Sequence, residues 1–215
     1  MTSTMRSVLL ALTAAVLLAG CSPGAASEPA ANQAATFNDA DVRFLQQMIP
    51  HHQQAIELAT LVDGRSRRPE LAKLAIDITA TQATEIQTMG RWLRRWNRPV
   101  PAVGTTDHAG SQVLGLLGRG QLDWLQTLEG APFDLGFVTM LRTQHIGAVE
   151  MAQAELRAGA SGEAKSLATR IIAAREAELR QLHEWKDAWS SDASGASLAG
   201  PATSGGTGPA GVPRG

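Results

Sequence analysis

One helical pattern occurs twice in this chain, 93 residues apart, and a histidine stands at the same place in each copy. Residues 41–96 align without a gap with residues 134–189, and 14 of the 56 aligned positions are identical. The identical pairs include His52 with His145. A repeat of this length decides the architecture before any local feature does. We therefore predict two helical hairpins related by a pseudo-two-fold axis, with one set of polar residues present twice.

Four long amphipathic stretches carry the repeat, because apolar residues recur three and four positions apart in each. No segment alternates apolar and polar residues, so no strand is predicted. Short hairpin loops and one long middle crossover then give an all-α four-helix bundle over residues 37–189. The predicted long helices run over Asn38–Val62, Pro69–Asn97, from about Pro132–Asp134 to Ala158, and over Glu163–Trp189. Two short helices are predicted in the crossover, over Ser111–Leu117 and Gln121–Leu128, the second ended by Gly130.

Both ends of the chain are predicted to lie outside the bundle. Arg6 and the apolar run after it are typical of an export signal over residues 1–20, and Leu18-Ala-Gly-Cys21 is similar to a bacterial lipobox. Cys21 is then the lipidated first residue of the mature chain, and residues 21–36 are a tether. This places the protein on the outer face of the bacterial cytoplasmic membrane. The alternative is a plain secretory signal and a free thiol. Residues 190–215 are rich in Gly, Ser and Ala and are predicted to be disordered.

Composition and spacing argue against two functional classes. The net charge is −1 and no basic block occurs, so nucleic acid is not an expected partner. Ferritin-like di-iron sites use Glu-x-x-His, but Thr88 follows Glu85 and Gln181 follows Glu178 at that spacing. No nucleophile–histidine–acid set is evident either. We therefore expect a protein that is not an enzyme.

The inner helix faces carry polar residues that need an explanation. His52 and His145 lie in the middle of apolar stripes, and Glu85 and Glu178 fall on inner faces of the neighbouring helices. A buried carboxylate is costly without a partner or a metal ion. Imidazole and thioether groups suit copper, the thioether favouring its cuprous form, whereas imidazole and carboxylate groups accept cupric or zinc ions. The predicted metal ligands are Met48, His51, His52, Glu85, Met89, His145 and Glu178. His51 lies about 100° around the helix from His52, so this site is predicted at the bundle rim, reachable from solvent.

Residues 44–59, with the motif Met48-(x2)-His51-His52-(x2)-Ala, and the matching stretch around His145 resemble the twin signatures of a bacterial family called domain of unknown function 305. The resemblance implies a ferritin-like bundle, and some family members are exported copper-binding proteins. The matched positions are Met48, His51, His52 and His145. The second copy departs from the pattern, because Gln144 replaces a histidine and Leu141 a methionine. The resemblance therefore favours a copper ion bound mainly by the first copy.

Two hypotheses from different classes remain open at this stage. In the first, a lipid-anchored protein sequesters copper outside the cytoplasmic membrane. In the second, a structural or interaction lipoprotein of the envelope uses the buried His and Glu only to bridge its helices. Met48 beside the two histidines favours the first, and Arg175, a cation on the inner face, favours the second. The expected partners are the membrane, through Cys21, a metal ion, and a second copy or another envelope protein.

Overall fold

The structure is a computed structural model that describes residues 36–102 and 113–198, with side chains described as far as residue 191. These residues form helices joined by turns, without a strand, which confirms the predicted all-α bundle. The helices are α1 (Asp39–Thr60), α2 (Pro69–Arg95), α3 (Arg119–Gln126), α4 (Gly130–Ala158) and α5 (Gly162–Leu198). Helix α1 packs on α2, α4 packs on α5, and α1 packs on α4 across the two hairpins.

Local sequence explains where the helices begin. The Asn38 side chain accepts the backbone N–H of Ala40 and of Asp41, and the Asp41 carboxylate accepts the N–H of Asn38 in return. This capping box satisfies donors that would otherwise be left unpaired at the start of α1. Pro69 occupies the first turn of α2, where a missing N–H costs nothing.

Corresponding residues of the two halves tie each hairpin to the other. Asp41, at the start of α1, accepts the backbone N–H of Ala160 and Ser161 in the α4–α5 turn. Asp134, at the start of α4, accepts Arg68 Nε at 3.0 Å from the end of the α1–α2 turn. The sequence aligns Asp41 with Asp134. Each first helix therefore anchors the turn of the opposite hairpin.

The buried core is divided into two apolar clusters. One holds the C-terminal half of α1 with the N-terminal half of α2, and the other holds the opposite ends of these helices. Helices α4 and α5 are divided in the same way. On every long helix, buried polar or charged residues separate the segments that enter the two clusters. The bundle therefore contains two apolar clusters with a polar layer between them.

Several predicted boundaries were wrong. Val113–Leu117 form a turn rather than a helix, because Gly115 has φ +77° and its backbone lies directly against Gly147 of α4. Gly130 opens α4 instead of only ending α3. Helix α5 continues past Trp189 to Leu198, with the Ser190 and Ser191 hydroxyls donating to carbonyls one turn back. The predicted start of a disordered tail at Ser190 was therefore too early.

The predicted signal segment, Cys21 and the tether up to residue 35 lie outside the described residues, and so do residues 199–215. Of the helices that are described, none is both long and apolar enough to cross a membrane.

A buried carboxyl pair supports the α4–α5 turn. Glu155 and Asp41 are 2% and 0% exposed. Carboxylate oxygens of both occupy the space that a Cβ on Gly159 would need, so only glycine fits there. Backbone N–H groups satisfy Asp41, whereas neither oxygen of Glu155 has an aligned hydrogen-bond partner. Burial, and then the adjacent Asp41 carboxylate, raise the pKa of Glu155 to about 8. Glu155 is therefore protonated in the folded protein at neutral pH.

This pair makes a pH-dependent contribution to stability. Between the ordinary carboxyl pKa of 4.5 and about 8, the folded chain holds a proton at Glu155 that the unfolded chain has lost. The contribution of Glu155 to the free energy of unfolding must therefore fall as the pH rises through this window. We expect Glu155→Gln, which cannot ionise, to gain stability relative to the wild type from pH 5 to pH 8. Urea unfolding of both proteins at each pH measures this difference, and parallel curves would show that Glu155 is not protonated.

Candidate metal centre

The polar layer contains four pairs of corresponding positions. Its histidines, glutamines and arginine are 0–2% exposed, and the side chains of its two glutamates are 14% and 19% exposed. The pairs are His51 with Gln144, His52 with His145, Gln82 with Arg175, and Glu85 with Glu178. The fold therefore brings together the predicted residues His51, His52, Glu85, His145 and Glu178.

The first half of the layer consists of His51, His52, Gln82 and Glu85. Within it, one ring nitrogen of His52 makes a hydrogen bond and the other does not. His52 Nε2 lies 2.7 Å from Glu85 Oε2. A carboxylate accepts, so the ring proton is on Nε2, and Nδ1 keeps its lone pair. Nδ1 is buried and has no hydrogen-bond partner. A histidine that donates to a carboxylate through one nitrogen while the other faces away from water is the usual arrangement of a metal-binding imidazole.

Gln144 sets the protonation pattern of the other two histidines. Its amide nitrogen donates to the His51 carbonyl at 3.0 Å and lies 2.8 Å from His51 Nδ1. Because a carbonyl can only accept, the amide orientation is fixed, and His51 Nδ1 accepts the second amide hydrogen. The Gln144 oxygen then accepts from His145 Nδ1 at 2.9 Å. Neutral His51 therefore carries its proton on Nε2, and neutral His145 carries its proton on Nδ1.

In the second half, both nitrogens of His145 are occupied by neighbours. Nδ1 donates to Gln144, and Nε2 lies 2.5 Å from Glu178 Oε2. Neither Nε2 nor Oε2 makes an aligned hydrogen bond, and the carboxylate fills the space beside Nε2. Arg175 Nη1 lies 3.1 Å from the same Glu178 oxygen. A metal ion at His145 would have to displace this carboxylate and approach a guanidinium.

The two halves thus differ in charge at one pair of positions. Gln82 is neutral and 1% exposed, and neither of its amide atoms has a partner. The corresponding Arg175 is a cation that is 2% exposed, next to Glu178. Charges in a poorly hydrated interior interact strongly. A cation is therefore better accommodated in the half that contains Gln82.

Burial keeps all three histidines uncharged. It lowers the pKa of His51 well below its ordinary value of 6.5, lowers that of His52, and lowers that of His145 to about 4. The Arg175 charge acts in the same direction on all three, whereas Glu85 opposes it at His52 and Glu178 opposes it at His52 and His145. Metal ligation requires the neutral imidazole, so no proton has to be removed from the layer before a metal binds His52.

The predicted rim position of His51 was wrong, because His51 is 0% exposed. Gln144 lies on one side of His51, and the turn Val113–Leu117 covers this region of α1. Gln54 bonds to both the N–H and the carbonyl of Leu117, at 2.7 and 2.9 Å. Further along, the Leu114 carbonyl lies against Gly147, where any side chain would clash. The candidate centre is therefore internal.

The two methionines among the predicted ligands lie on one side of the layer. Met48 and Met89 are both 0% exposed and belong to the same apolar cluster. Met48 precedes His52 by about one turn on α1, and Met89 follows Glu85 by about one turn on α2. Within the described ranges, no three His, Cys, Asp or Glu side chains are arranged to hold a metal ion. A metal site in this part of the chain would therefore depend on the thioethers.

Comparison with known proteins identifies the family. The profile named Domain of unknown function (DUF305) matches residues 41–186. This chain belongs to the DUF305 family. An uncharacterized protein of Acanthamoeba polyphaga mimivirus, L153, is 39% identical over 49 residues, which are 23% of this chain and 32% of that protein. The chain thus spans about a third of that relative.

Solved structures similar to this chain share its fold. A DUF305 protein from Streptomyces coelicolor, classed as secreted, is 29% identical, with a TM-score of 0.63 over 70% of this chain and 94% of that one. CopM in its Cu(I)-bound form is 33% identical, with a TM-score of 0.58 over 69% of this chain and 96% of that one. CopM in its Cu(II)-bound form is also 33% identical, with a TM-score of 0.61. Copper therefore binds to a protein similar to this DUF305 chain.

Sequence reasoning missed two members of the polar layer. Gln144 was noted only as a departure from the DUF305 pattern, yet it contacts both His51 and His145. Gln82 was not among the predicted site residues. The signal that could have found both was available, since each is the repeat counterpart of a residue already singled out, His51 or Arg175.

Proposed function

We propose that this DUF305 protein binds copper in the first half of its polar layer and sequesters it outside the cytoplasm. The observation that carries the proposal is the state of His52, whose Nε2 donates to Glu85 while Nδ1 stays buried and unpartnered. A buried polar atom without a partner is costly, and a metal ion would relieve that cost. The copper-bound structures of CopM support the choice of metal.

The donor set favours the cuprous ion. His52 offers a neutral imidazole, and Met48 and Met89 offer buried thioethers, a combination that suits Cu(I). The net charge of the polar layer also favours a monovalent ion. With neutral histidines, the carboxylates of Glu85 and Glu178 and the guanidinium of Arg175 leave one net negative charge. A monovalent ion brings this buried layer to neutrality, whereas a divalent ion would leave an uncompensated positive charge.

The residues have different proposed roles. Met48, His52 and Met89 would hold the ion, and Glu85 would orient His52 by accepting its Nε2–H. His51 is not among the proposed ligands, because its Nδ1 accepts a hydrogen bond from Gln144 and its Nε2 carries the proton. His145 and Glu178, which were predicted as ligands, are engaged with each other, Gln144 and Arg175. We assign them to the structure of the layer.

A copper titration tests the proposal. The purified full chain is titrated with Cu(I) under reducing conditions against a chromophoric chelator. One equivalent is expected to bind tightly, with sulfur and nitrogen neighbours in the X-ray absorption spectrum. A wild-type protein that takes no copper from a micromolar chelator would refute the copper function.

The lipid anchor is a separate part of the proposal. Leu18-Ala-Gly-Cys21 supplies the small residues and the cysteine of a lipobox. We expect Cys21→Ala to move the protein from the membrane fraction to the soluble extracytoplasmic fraction, because the acyl chains on Cys21 supply the membrane affinity. Fractionation with immunoblotting measures this, and mass spectrometry of the mature N-terminus is the control. A variant that stays with the membrane, or a wild-type N-terminus without lipid, would exclude the anchor.

The second candidate is a structural envelope protein without a metal. The buried ion pair of Arg175 with Glu178 favours it, because the charges in this half of the layer already balance each other without a metal ion. The two functions predict different results for His52→Ala. Loss of copper binding follows from the first, and loss of stability alone follows from the second.

A further inference from the structure

The proposed copper site is internal, so an ion needs a route to it. His52 is 1% exposed, and Met48 and Met89 are 0% exposed. Glu85 is different, because its side chain is 14% exposed although it bonds to His52. It also lines a groove of about 550 Å³ between α2 and α5. Glu85 therefore links the solvent-facing groove directly to the candidate ligand.

The walls of this groove are small or hydroxylated residues. Ala80, Thr81, Thr84 and Thr88 line the α2 side, and Leu167, Arg170 and Ala174 line the α5 side. Helix α2 packs mainly on α1, and α5 packs mainly on α4, so no close helix–helix interface closes this side. The hydroxyls of Thr84 and Thr88 donate to carbonyls of their own helix. The Thr88 hydroxyl also accepts a hydrogen bond from Arg91 at 2.9 Å, whereas the Thr84 hydroxyl keeps acceptor lone pairs for a partly hydrated cation in the groove.

Two other grooves in the described part of the chain do not reach the layer. One of about 520 Å³ lies along the α1–α2 turn and is lined by Ala72, Ile76 and Thr79 among others. Another of about 420 Å³ lies between α3 and α4 beside Trp124. Neither contains a residue of the polar layer. The α1–α2 groove is thus a control of similar size.

We propose that the groove between α2 and α5 is the entry route of the copper ion, and that Glu85 is the first residue of the buried site that the ion meets. This proposal rests on the copper function proposed above. The carboxylate attracts the cation at the floor of the groove and lowers the cost of leaving water. Arg170, an exposed cation on the wall, opposes the approach. The route then governs the rate of binding, while Met48, His52 and Met89 govern the affinity.

Filling the groove from either wall tests the route. Thr81→Phe and Ala174→Phe are made in the full chain, and Ala72→Phe fills the control groove. Stopped-flow transfer of Cu(I) from a chelator gives the association rate, and equilibrium competition gives the affinity. Both groove variants should associate at least tenfold more slowly, with affinity within about threefold of the wild type. Circular dichroism checks that each variant is folded, and the Ala72→Phe rate should equal that of the wild type.

Charge reversal on the wall gives an independent arm. Arg170→Glu should speed association several-fold at low ionic strength, and the gain should shrink as salt is added, because salt screens exposed charges. Arg157→Glu, on an exposed residue at the end of α4 that is not part of the groove lining, should leave the rate unchanged. Equal effects from the two reversals would mean that net charge, and not the groove, sets the rate.

The readouts separate failure of the route from failure of the copper function. Unchanged association rates in both phenylalanine variants would overturn the route, and so would an affinity that falls in step with the rate. A wild type that binds no copper refutes the function instead. In that case hydrogen exchange at the His52 imidazole carbon, measured without metal, still tests whether the groove gives solvent access to His52. The exchange should be slower in Thr81→Phe than in Ala72→Phe, and equal exchange would exclude the groove as the access path.

Discussion

We expect His52→Ala to lower the Cu(I) affinity by at least about a hundredfold. The substitution removes the imidazole with a free buried nitrogen, and it also leaves Glu85 without its partner. Glu85→Gln should cost less, about 10–100-fold, because loss of a group that orients a ligand typically weakens metal binding by that factor. Competition titration of the full chain against a chromophoric Cu(I) chelator measures both changes.

Two histidine variants serve as controls for this result. His183 lies on the exposed face of α5, so His183→Ala should keep the wild-type affinity. His145→Ala should lower stability more than affinity, because both nitrogens of His145 are already engaged. Equal losses of affinity in His52→Ala and His145→Ala would mean that the two halves share one site, which contradicts the proposed ligand set.

Breaking the charge pair of the second half should have the largest effect on folding. Glu178→Ala leaves the Arg175 guanidinium buried, with Nε and Nη1 already lacking aligned hydrogen bonds. An unpaired buried charge typically costs about 3–5 kcal/mol, and the partial exposure of Glu178 places the expected loss near the lower figure, about 3 kcal/mol. Urea unfolding of the copper-free protein measures the change in the free energy of unfolding.

A neighbouring acid and a double variant make this prediction specific. Glu176 is exposed on the same helix, so Glu176→Ala should change stability by less than about 0.5 kcal/mol. Arg175→Met combined with Glu178→Leu removes both charges and should recover most of the lost stability, because an apolar pair needs no partners. A double variant as unstable as Glu178→Ala alone would show that packing, and not the unpaired cation, causes the loss.

The repeat and the apolar periodicity of the sequence were sufficient to predict the fold. Phe44 and Phe137 lie buried at corresponding places, and Asn38 caps α1 as its residue type predicts. These features are local, since a cap and a 3.6-residue period depend on neighbouring residues along the chain. The errors occurred where distant segments meet. The Val113–Leu117 segment is a turn because its backbone packs directly on Gly147 of α4.

Residue types and their spacing predicted seven candidate metal ligands, because residue type sets donor chemistry and helical spacing sets the helix face, and the three ligands now proposed are among them. They could not decide which histidine keeps a free nitrogen. That depends on contacts made across the packed helices. Glu85 of α2 holds His52, and Gln144 of α4 bonds to His51. Glu178 of α5, paired with Arg175, lies against His145. Hydrogen-bond partners and buried charges act over a few ångströms in space, irrespective of their separation along the chain.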